Sequence, residues 1–164
     1  MSEAEELLDG LSDEEMSLYG ANPDLEGYIV IDENRIITVP DNLKRIAVQN
    51  DHNIETVTFS CPRYWDGNDL STMNIEIVYE RPDGIGKRYR AQNVTVNEDN
   101  SDIMFFDWTI SNNVTLVPGN ITFLVCINKK DSDGINENCW HSEINKDLYV
   151  IEGMKCDDIE NDDV

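Results

Sequence analysis

The segment 101–130 constrains the fold most, because it holds the densest apolar sequence in the chain. Alternate residues from 104 to 110 are apolar, and so are alternate residues from 121 to 127, which predicts two strands that each bury one face. Turn residues separate the strands at 111–113 and at Pro118-Gly119. We therefore predict that the two strands pair within a two-layer β structure, with these side chains in its core: Met104, Phe106, Trp108, Ile110, Ile121, Phe123, Val125 and Ile127.

Apolar and polar residues also alternate in short segments along most of the remaining chain. The segments 28–31 and 35–39, with a turn at 32–34, predict a hairpin. The apolar parity changes within 87–96, which predicts a bulge near Gln92-Asn93. Since no helical period follows residue 20, we predict an all-β fold, a two-layer antiparallel β-sandwich of immunoglobulin-like or jelly-roll type. The other predicted strands are 44–49, 54–61, 73–80, 140–143 and 146–151.

Charge divides the 164 residues into three parts. Residues 1–26 contain nine acidic and no basic residues, and residues 157–164 contain five acidic and no basic residues. We predict an acidic N-terminal arm at 1–26, the β-sandwich domain at 27–156 and an acidic tail at 157–164. The net charge of −22 repels phosphate groups and anionic lipids, so we expect neither nucleic acid nor a membrane as a partner.

The N-terminal arm combines a helix signal with an apolar stripe. Ser12 stands three residues before Glu15, as in a capping box, which predicts a short acidic helical arm. Two interpretations stay open: a disordered acidic leader, or an arm that orders against an uncovered strand face of a neighbouring subunit. The second interpretation gives these candidate partner-contact residues: Leu7, Leu11, Leu18, Tyr19, Phe105 and Leu124.

The residue types that carry catalysis or bind metals do not form a strong pattern. His141-Ser142-Glu143 contains the three types of a triad, but adjacent strand residues point to opposite faces. Cys139, His141 and Cys156 offer metal donors, yet the second close pair of a structural zinc site is missing. The loop 131–137 resembles part of a calcium loop and is interpreted as a turn. We expect no catalytic residue, no cofactor and no metal site, and we expect all four cysteines to be reduced.

Two adjacent aromatic residues, Tyr64 and Trp65, lie in a predicted loop beside Asp66 and Asn68. Such rings either fold back onto the core or stay exposed for a ligand. Exposed rings with neighbouring Asp and Asn side chains suit a sugar. A carbohydrate-binding module that contacts a glycan through Tyr64 and Trp65 is therefore the alternative function.

Several segments together resemble a known family. They are Ile36-Ile37-Thr38-Val39-Pro40, the turn Tyr64-Trp65-Asp66-Gly67, Trp108-Thr109-Ile110, Pro118-Gly119-Asn120-Ile121-Thr122-Phe123 and Trp140-His141-Ser142. With these segments, residues 27–153 resemble the N-terminal β-sandwich of phage tail upper baseplate proteins and related virion appendage proteins.

The resemblance implies a non-enzymatic virion structural protein that acts through protein–protein contacts. Its partners would be other virion proteins and copies of itself in a homo-oligomer, and in the alternative function a host-surface glycan. It would be synthesised in the bacterial host cytoplasm and reside in the virion. The chain ends at Val164 without the coiled-coil neck of a full appendage, so we expect a baseplate or fibre-base adaptor or a capsid decoration protein.

Overall fold

The computed structural model describes residues 27–130, 133–134, 136–154 and 156. These residues form short strands, a single-turn helix α1 (Asn112–Thr115) and two 3-10 turns (Asp41–Leu43 and Leu70–Thr72). The strands are β1 (Tyr28–Ile31), β2 (Ile37–Thr38), β3 (Arg45–Val48), β4 (Thr56–Pro62), β5 (Tyr64–Trp65), β6 (Asn68–Asp69), β7 (Asn74–Glu80), β8 (Gly86–Arg90), β9 (Gln92–Val96), β10 (Ile103–Thr109), β11 (Gly119–Lys130), β12 (Asn136–His141) and β13 (Asn145–Ile151).

Two sheets form the layers of a sandwich, which confirms the predicted all-β class. The first sheet has the order β2-β1-β4-β10-β9, and the second has the order β3-β13-β11-β7-β8, with β12 also beside β11. The pairing is not purely antiparallel, because β1 lies parallel to β4 and β13 lies parallel to β3. A parallel pair needs a long connection, and both pairs have one. In the chain, β2 and β3 lie between β1 and β4, and β4 to β12 lie between β3 and β13.

The predicted pairing of β10 with β11 is wrong, because the two strands belong to different sheets. β10 pairs with β4 over its whole length, whereas β11 pairs with β7. Helix α1, with Val114 fully buried, carries the chain from one layer to the other. The apolar faces of β10 and β11 therefore meet across the core, where the rings of Trp108 and Phe123 lie 5.9 Å apart.

Aromatic side chains fill the centre of the core. Trp108 and Phe123 are 0% and 1% exposed, which confirms the prediction that both are buried. The ring centroids of Phe59 and Phe106 lie 5.1 Å apart within the first sheet, and that of Tyr79 lies 5.5 Å from that of Trp108 across the core. Rings in such contact add to the stabilisation from apolar burial, so this group holds the two layers together.

The parity change within 87–96 marks a crossing between the sheets. β8 pairs with β7 in the second sheet, and β9 pairs with β10 in the first. Asn93 has a φ of 53°, and the register of β9 with β10 shifts between Phe105 and Asp107, so the predicted irregularity is confirmed. The predicted single strand is instead two strands, because the chain turns around the sandwich edge at Ala91.

The predicted hairpin of β1 and β2 is confirmed, and its turn positions a side chain for the candidate site. Ile31 lies opposite Ile37. The Asp32 carboxylate accepts hydrogen bonds from the backbone N–H groups of Asn34 and Ile36, at 2.8 and 3.0 Å. These bonds hold Arg35 at a φ of 68°, and its guanidinium turns towards β12.

Candidate functional site

The strands β5 and β6 form a separate two-stranded ribbon that carries Tyr64 and Trp65. Its turn residues, Asp66 and Gly67, have φ values of 46° and 78°. A tight hairpin turn needs this left-handed conformation, and an Asp-Gly pair adopts it readily. Because successive strand residues point to opposite sides, the ribbon sends its two aromatic rings in different directions.

Trp65 is half-buried and packs against the core. Its ring meets the ring of Trp140 edge-on, with centroids 6.0 Å apart. The guanidinium carbon of Arg35 lies 4.3 Å from the Trp65 centroid and 5.3 Å from the Trp140 centroid, which is cation–π geometry. Arg35 Nη1 also donates to the carbonyl of His141 at 3.3 Å. Trp65 therefore joins the β1–β2 turn to β12.

Tyr64 is the more accessible ring of the pair, at 47% exposure. The guanidinium of Arg63 lies 4.9 Å from its centroid. Both Tyr64 and Trp65 nevertheless line one shallow cleft, so the rings predicted as a glycan contact do border a common space. The other residues of this cleft are Glu33, Pro62, Asp66 and Asp102.

An ion pair closes the base of the ribbon. Arg63 Nε and Nη2 donate to the two carboxylate oxygens of Asp69 at 3.1 and 3.0 Å, a bidentate arrangement. The bonds from Arg63, together with bonds from Ser71, lower the pKa of Asp69 to about 2. The ribbon is thus fixed by charge at one end and by the Trp65 ring at the other.

Phe105 and Leu124 lie on opposite outer surfaces of the sandwich, so the expectation that they form one face is wrong. The reason is that β10 and β11 lie in different sheets, and each side chain points away from the core of its own sheet. Phe105 stacks on Tyr28, with centroids 5.0 Å apart and an interplanar angle of 24°. Ser60, opposite Phe105 on this outer face, is only 4% exposed.

Cys126, Cys139 and His141 meet on the outer face of the second sheet. In the β11–β12 hairpin Cys126 lies opposite His141, and Cys139 precedes His141 by two residues on the same face. The two sulfurs are 3.9 Å apart, and the Cys139 sulfur is 3.7 Å from His141 Nε2. The sequence pattern groups Cys156 with Cys139 and His141 and does not identify Cys126. The signal that could have identified Cys126 is the outward parity that it shares with Leu124.

Ser142 of the 141–143 tripeptide and the second histidine, His52, have structural partners. Ser142 is buried, and its Oγ accepts from the backbone N–H of Val125 at 2.8 Å, whereas the neighbouring His141 is exposed. His52 Nδ1 accepts from the backbone N–H of Asn112 at 2.9 Å. The tripeptide 141–143 therefore does not assemble a triad, and His52 links the β3–β4 turn to helix α1.

Some predicted features lie outside the described residues. They include the acidic arm at 1–26, the acidic tail at 157–164 and three residues of the loop 131–137. Four candidate contact residues lie in that arm: Leu7, Leu11, Leu18 and Tyr19. Within the described part of the chain, no helix has the length and apolar character needed to cross a membrane.

Comparison with known proteins gives structural matches but no match by sequence. No family model matches the sequence, and no curated protein matches it. The fold is similar to the "N-terminal domain of phage TP901-1 ORF48", with 8% sequence identity and a TM-score of 0.41. The match covers 77% of this chain and 97% of that one.

Proposed function

We propose that this chain is a non-enzymatic structural protein of a phage virion, which assembles through contacts with copies of itself and with other virion proteins. The sequence resemblance supports the virion role. The observation that carries the assembly role is the ring pair of Tyr28 and Phe105 on the solvent side of the first sheet. A stacked aromatic pair outside the core is the kind of anchor that protein interfaces use.

The occupant that we propose for this ring pair is the N-terminal arm of a neighbouring copy. Residues 1–26 have an apolar stripe, and they carry nine acidic and no basic residues. The arm enters the sandwich at Gly27, directly before Tyr28 on the same outer face. When two copies exchange their arms, the apolar stripe of one copy contacts the Tyr28 and Phe105 rings of the other, as in symmetric dimers that exchange an identical element. Salt strengthens the contact, because it screens the repulsion between two acidic chains.

Sedimentation of the full chain and of matched variants tests this contact. Deletion of residues 1–22, or the double change Tyr28→Ser with Phe105→Ser, should raise the self-association Kd by at least about tenfold, because burial of the rings is lost. Ile54→Ser is the control, since Ile54 is 74% exposed and lies outside the strands β1 and β10 that carry the two rings. Deletion of residues 157–164 controls for the loss of acidic charge.

The outcomes separate the possible surfaces. If the chain without residues 1–22 stays assembled at low micromolar concentration, the arm does not hold the copies together. If Leu124→Ser weakens assembly as much as the change at Tyr28 and Phe105, the contact lies on the second sheet and the proposed face is wrong. If the arm occupies its own sandwich, the full chain is monomeric at every concentration.

The virion role has its own test. Purified particles of a phage that encodes this chain should contain it in fixed stoichiometry, as measured by quantitative mass spectrometry. Labelling with a specific antibody should then distinguish the tail from the capsid. Absence of the chain from purified particles would overturn the virion role, whatever its state of assembly.

A carbohydrate-binding function is the second candidate, favoured by the cleft that Tyr64 and Trp65 share with Glu33, Asp66 and Asp102. Aromatic rings stack on sugars, and carboxylates accept bonds from sugar hydroxyls. A host-surface polysaccharide should then quench tryptophan fluorescence saturably, and Tyr64→Ala should abolish the quenching. An unchanged spectrum over the titration excludes this function.

A further inference from the structure

We infer that Cys126, Cys139 and His141 form a binding site for a zinc ion on the outer face of the second sheet. Their three donor atoms lie within 4.8 Å of one another. Thiolate sulfur and imidazole nitrogen are the ligands that zinc prefers in proteins, and three such ligands with one open position form a recognised zinc arrangement. The site does not depend on the proposed virion role.

Two of the three distances between the donor atoms are close to those around one tetrahedral ion, and the third is at most 4.8 Å. Two sulfurs that each lie about 2.3 Å from a tetrahedral zinc ion are about 3.8 Å apart, and a sulfur and a nitrogen are slightly closer. The sulfurs of Cys126 and Cys139 are 3.9 Å apart. The Cys139 sulfur lies 3.8 Å from Nδ1 and 3.7 Å from Nε2 of His141. Both nitrogens of the exposed ring therefore lie near the Cys139 sulfur, and either one is a possible donor.

The register of β11 with β12 supplies this geometry. Cys126 and His141 are cross-strand partners, and Cys139 is the diagonal neighbour of Cys126. Cys126 is 5% exposed, whereas Cys139 and His141 are exposed. One ligand is therefore fixed in the sheet and two face solvent, so an ion can enter from outside and join β11 to β12.

Polar side chains around the three ligands support the site. The amide of Asn128 donates towards the Cys126 sulfur at 3.7 Å and towards Glu76 Oε1 at 3.5 Å. Glu76 Oε1 also accepts from Asn74 Nδ2 at 2.8 Å, and Glu76 Oε2 lies 3.5 Å from Arg88 Nη1. A hydrogen bond to a metal ligand from a neighbouring side chain, such as that from Asn128 to Cys126, holds the ligand in its orientation. Because these neighbours already hold the Glu76 carboxylate, a water and not Glu76 would fill the open position of a bound zinc ion.

Metal titration of the full chain tests the inference. The reduced, chelator-treated protein should bind one equivalent of zinc in competition with a chromophoric chelator. Cobalt in place of zinc should give the thiolate-to-metal charge-transfer band and the intense visible bands of tetrahedral coordination. Loss of a residue that only hydrogen-bonds to a metal ligand costs about 10–100-fold in metal affinity, so loss of a ligand itself should cost about 100-fold or more.

Three variants remove one ligand each: Cys126→Ser, Cys139→Ser and His141→Asn. Cys156→Ser is the matched control, because Cys156 is another exposed cysteine and is not part of the cluster. Zinc should raise the Tm of the native chain and of Cys156→Ser, and leave the Tm of the ligand variants unchanged. Since Cys126 is buried, the two exposed ligands keep the test valid if Cys126→Ser fails to fold.

Three results would overturn the zinc site. The first is an octahedral cobalt spectrum without a charge-transfer band. The second is equal zinc affinity in the native chain, Cys139→Ser and His141→Asn. The third is a Cys126–Cys139 disulfide in protein purified without oxidant, as shown by mass spectrometry of the unreduced chain, because this bond would consume both sulfur ligands.

Discussion

The two outer faces of the sandwich carry different chemistry on similar strands. The first sheet presents the stacked rings of Tyr28 and Phe105, and the second presents the sulfur and imidazole donors of Cys126, Cys139 and His141. Both sets occupy the outward positions that remain when alternate residues fill the core. Aromatic rings suit contact with another protein, whereas thiolates and imidazole suit a transition metal. The outward-facing residues of each sheet, and not the core residues, therefore determine what each face can bind.

The largest expected effect comes from the core that both faces share. Trp108→Ala should lower the free energy of unfolding by about 3–5 kcal/mol, because it leaves a cavity where the indole contacts Tyr79 and Phe123. Urea denaturation measures this loss. Self-association and zinc binding should both fail at lower urea concentration than in the native chain, since the two faces rest on the same residues.

Phe105→Ala is the matched change on the outer side of the same strand. It should cost only about 1 kcal/mol, because it removes one stacked ring pair and creates no enclosed cavity. Zinc binding should be unaffected. If Trp108→Ala costs no more than Phe105→Ala, the inward and outward assignment of β10 is wrong, and the comparison between the faces no longer holds.

Local features of the fold could be predicted from the sequence, because they depend on neighbouring residues. The alternation from 104 to 110 predicted that Trp108 is buried, and it is 0% exposed. The parity change within 87–96 predicted the irregularity at Asn93. The period of apolar residues in a strand depends only on residues close in sequence, so such local features can be predicted from it.

Features that depend on which strands pair could not be predicted in the same way. β10 and β11 have the same alternation, whether they lie side by side or face each other across the core, so parity alone could not decide between the two arrangements. For the same reason the cluster of Cys126, Cys139 and His141 could not be predicted, because Cys126 meets the other two residues only through the register of β11 with β12. The packing of Trp65 against Arg35 likewise depends on a turn 30 residues earlier.

Thiol labelling should sharpen the contrast between the inner and outer faces. Cys61 is on the inner face of the first sheet, and burial raises its pKa to about 12 from 9.0. Its thiolate fraction near neutral pH should therefore be on the order of a thousandfold smaller than that of an ordinary cysteine. Cys61 should resist iodoacetamide in the native protein and react after unfolding, as measured by peptide mass spectrometry.

The cysteines outside the core provide the comparison. Cys139 and Cys156 are exposed and should be labelled rapidly in the native chain. Zinc should slow the labelling of Cys126 and Cys139 without changing that of Cys156, because only the first two are proposed ligands. Rapid labelling of Cys61 in the folded protein would show that the inner face of the first sheet is open to solvent.

The smallest expected effect concerns the β5–β6 ribbon, which packs against β12 through Trp65 and Trp140. Asp69 has a folded pKa of about 2, lowered from 3.8 mainly by its hydrogen bonds from Arg63 and Ser71. A lowered folded pKa means that the carboxylate stabilises the fold above about pH 4 and loses this contribution as the pH falls towards about 2. Asp69→Asn keeps the side-chain shape but removes the charge, so it should be less stable than the native chain near neutral pH.

The pH dependence of the stability difference between the native chain and Asp69→Asn shows whether the charge of Asp69 causes it. Acid also reduces the net charge of −22 and with it the general repulsion in the chain, so only the gap between the native chain and Asp69→Asn isolates the ion pair. Urea denaturation should show the gap narrowing between about pH 4 and pH 2. Asp66→Asn, in the turn of the same ribbon, controls for the loss of one negative charge. A gap that stayed constant down to about pH 2 would mean that the shape of the Asp69 side chain, and not its ion pair with Arg63, holds the ribbon against β12.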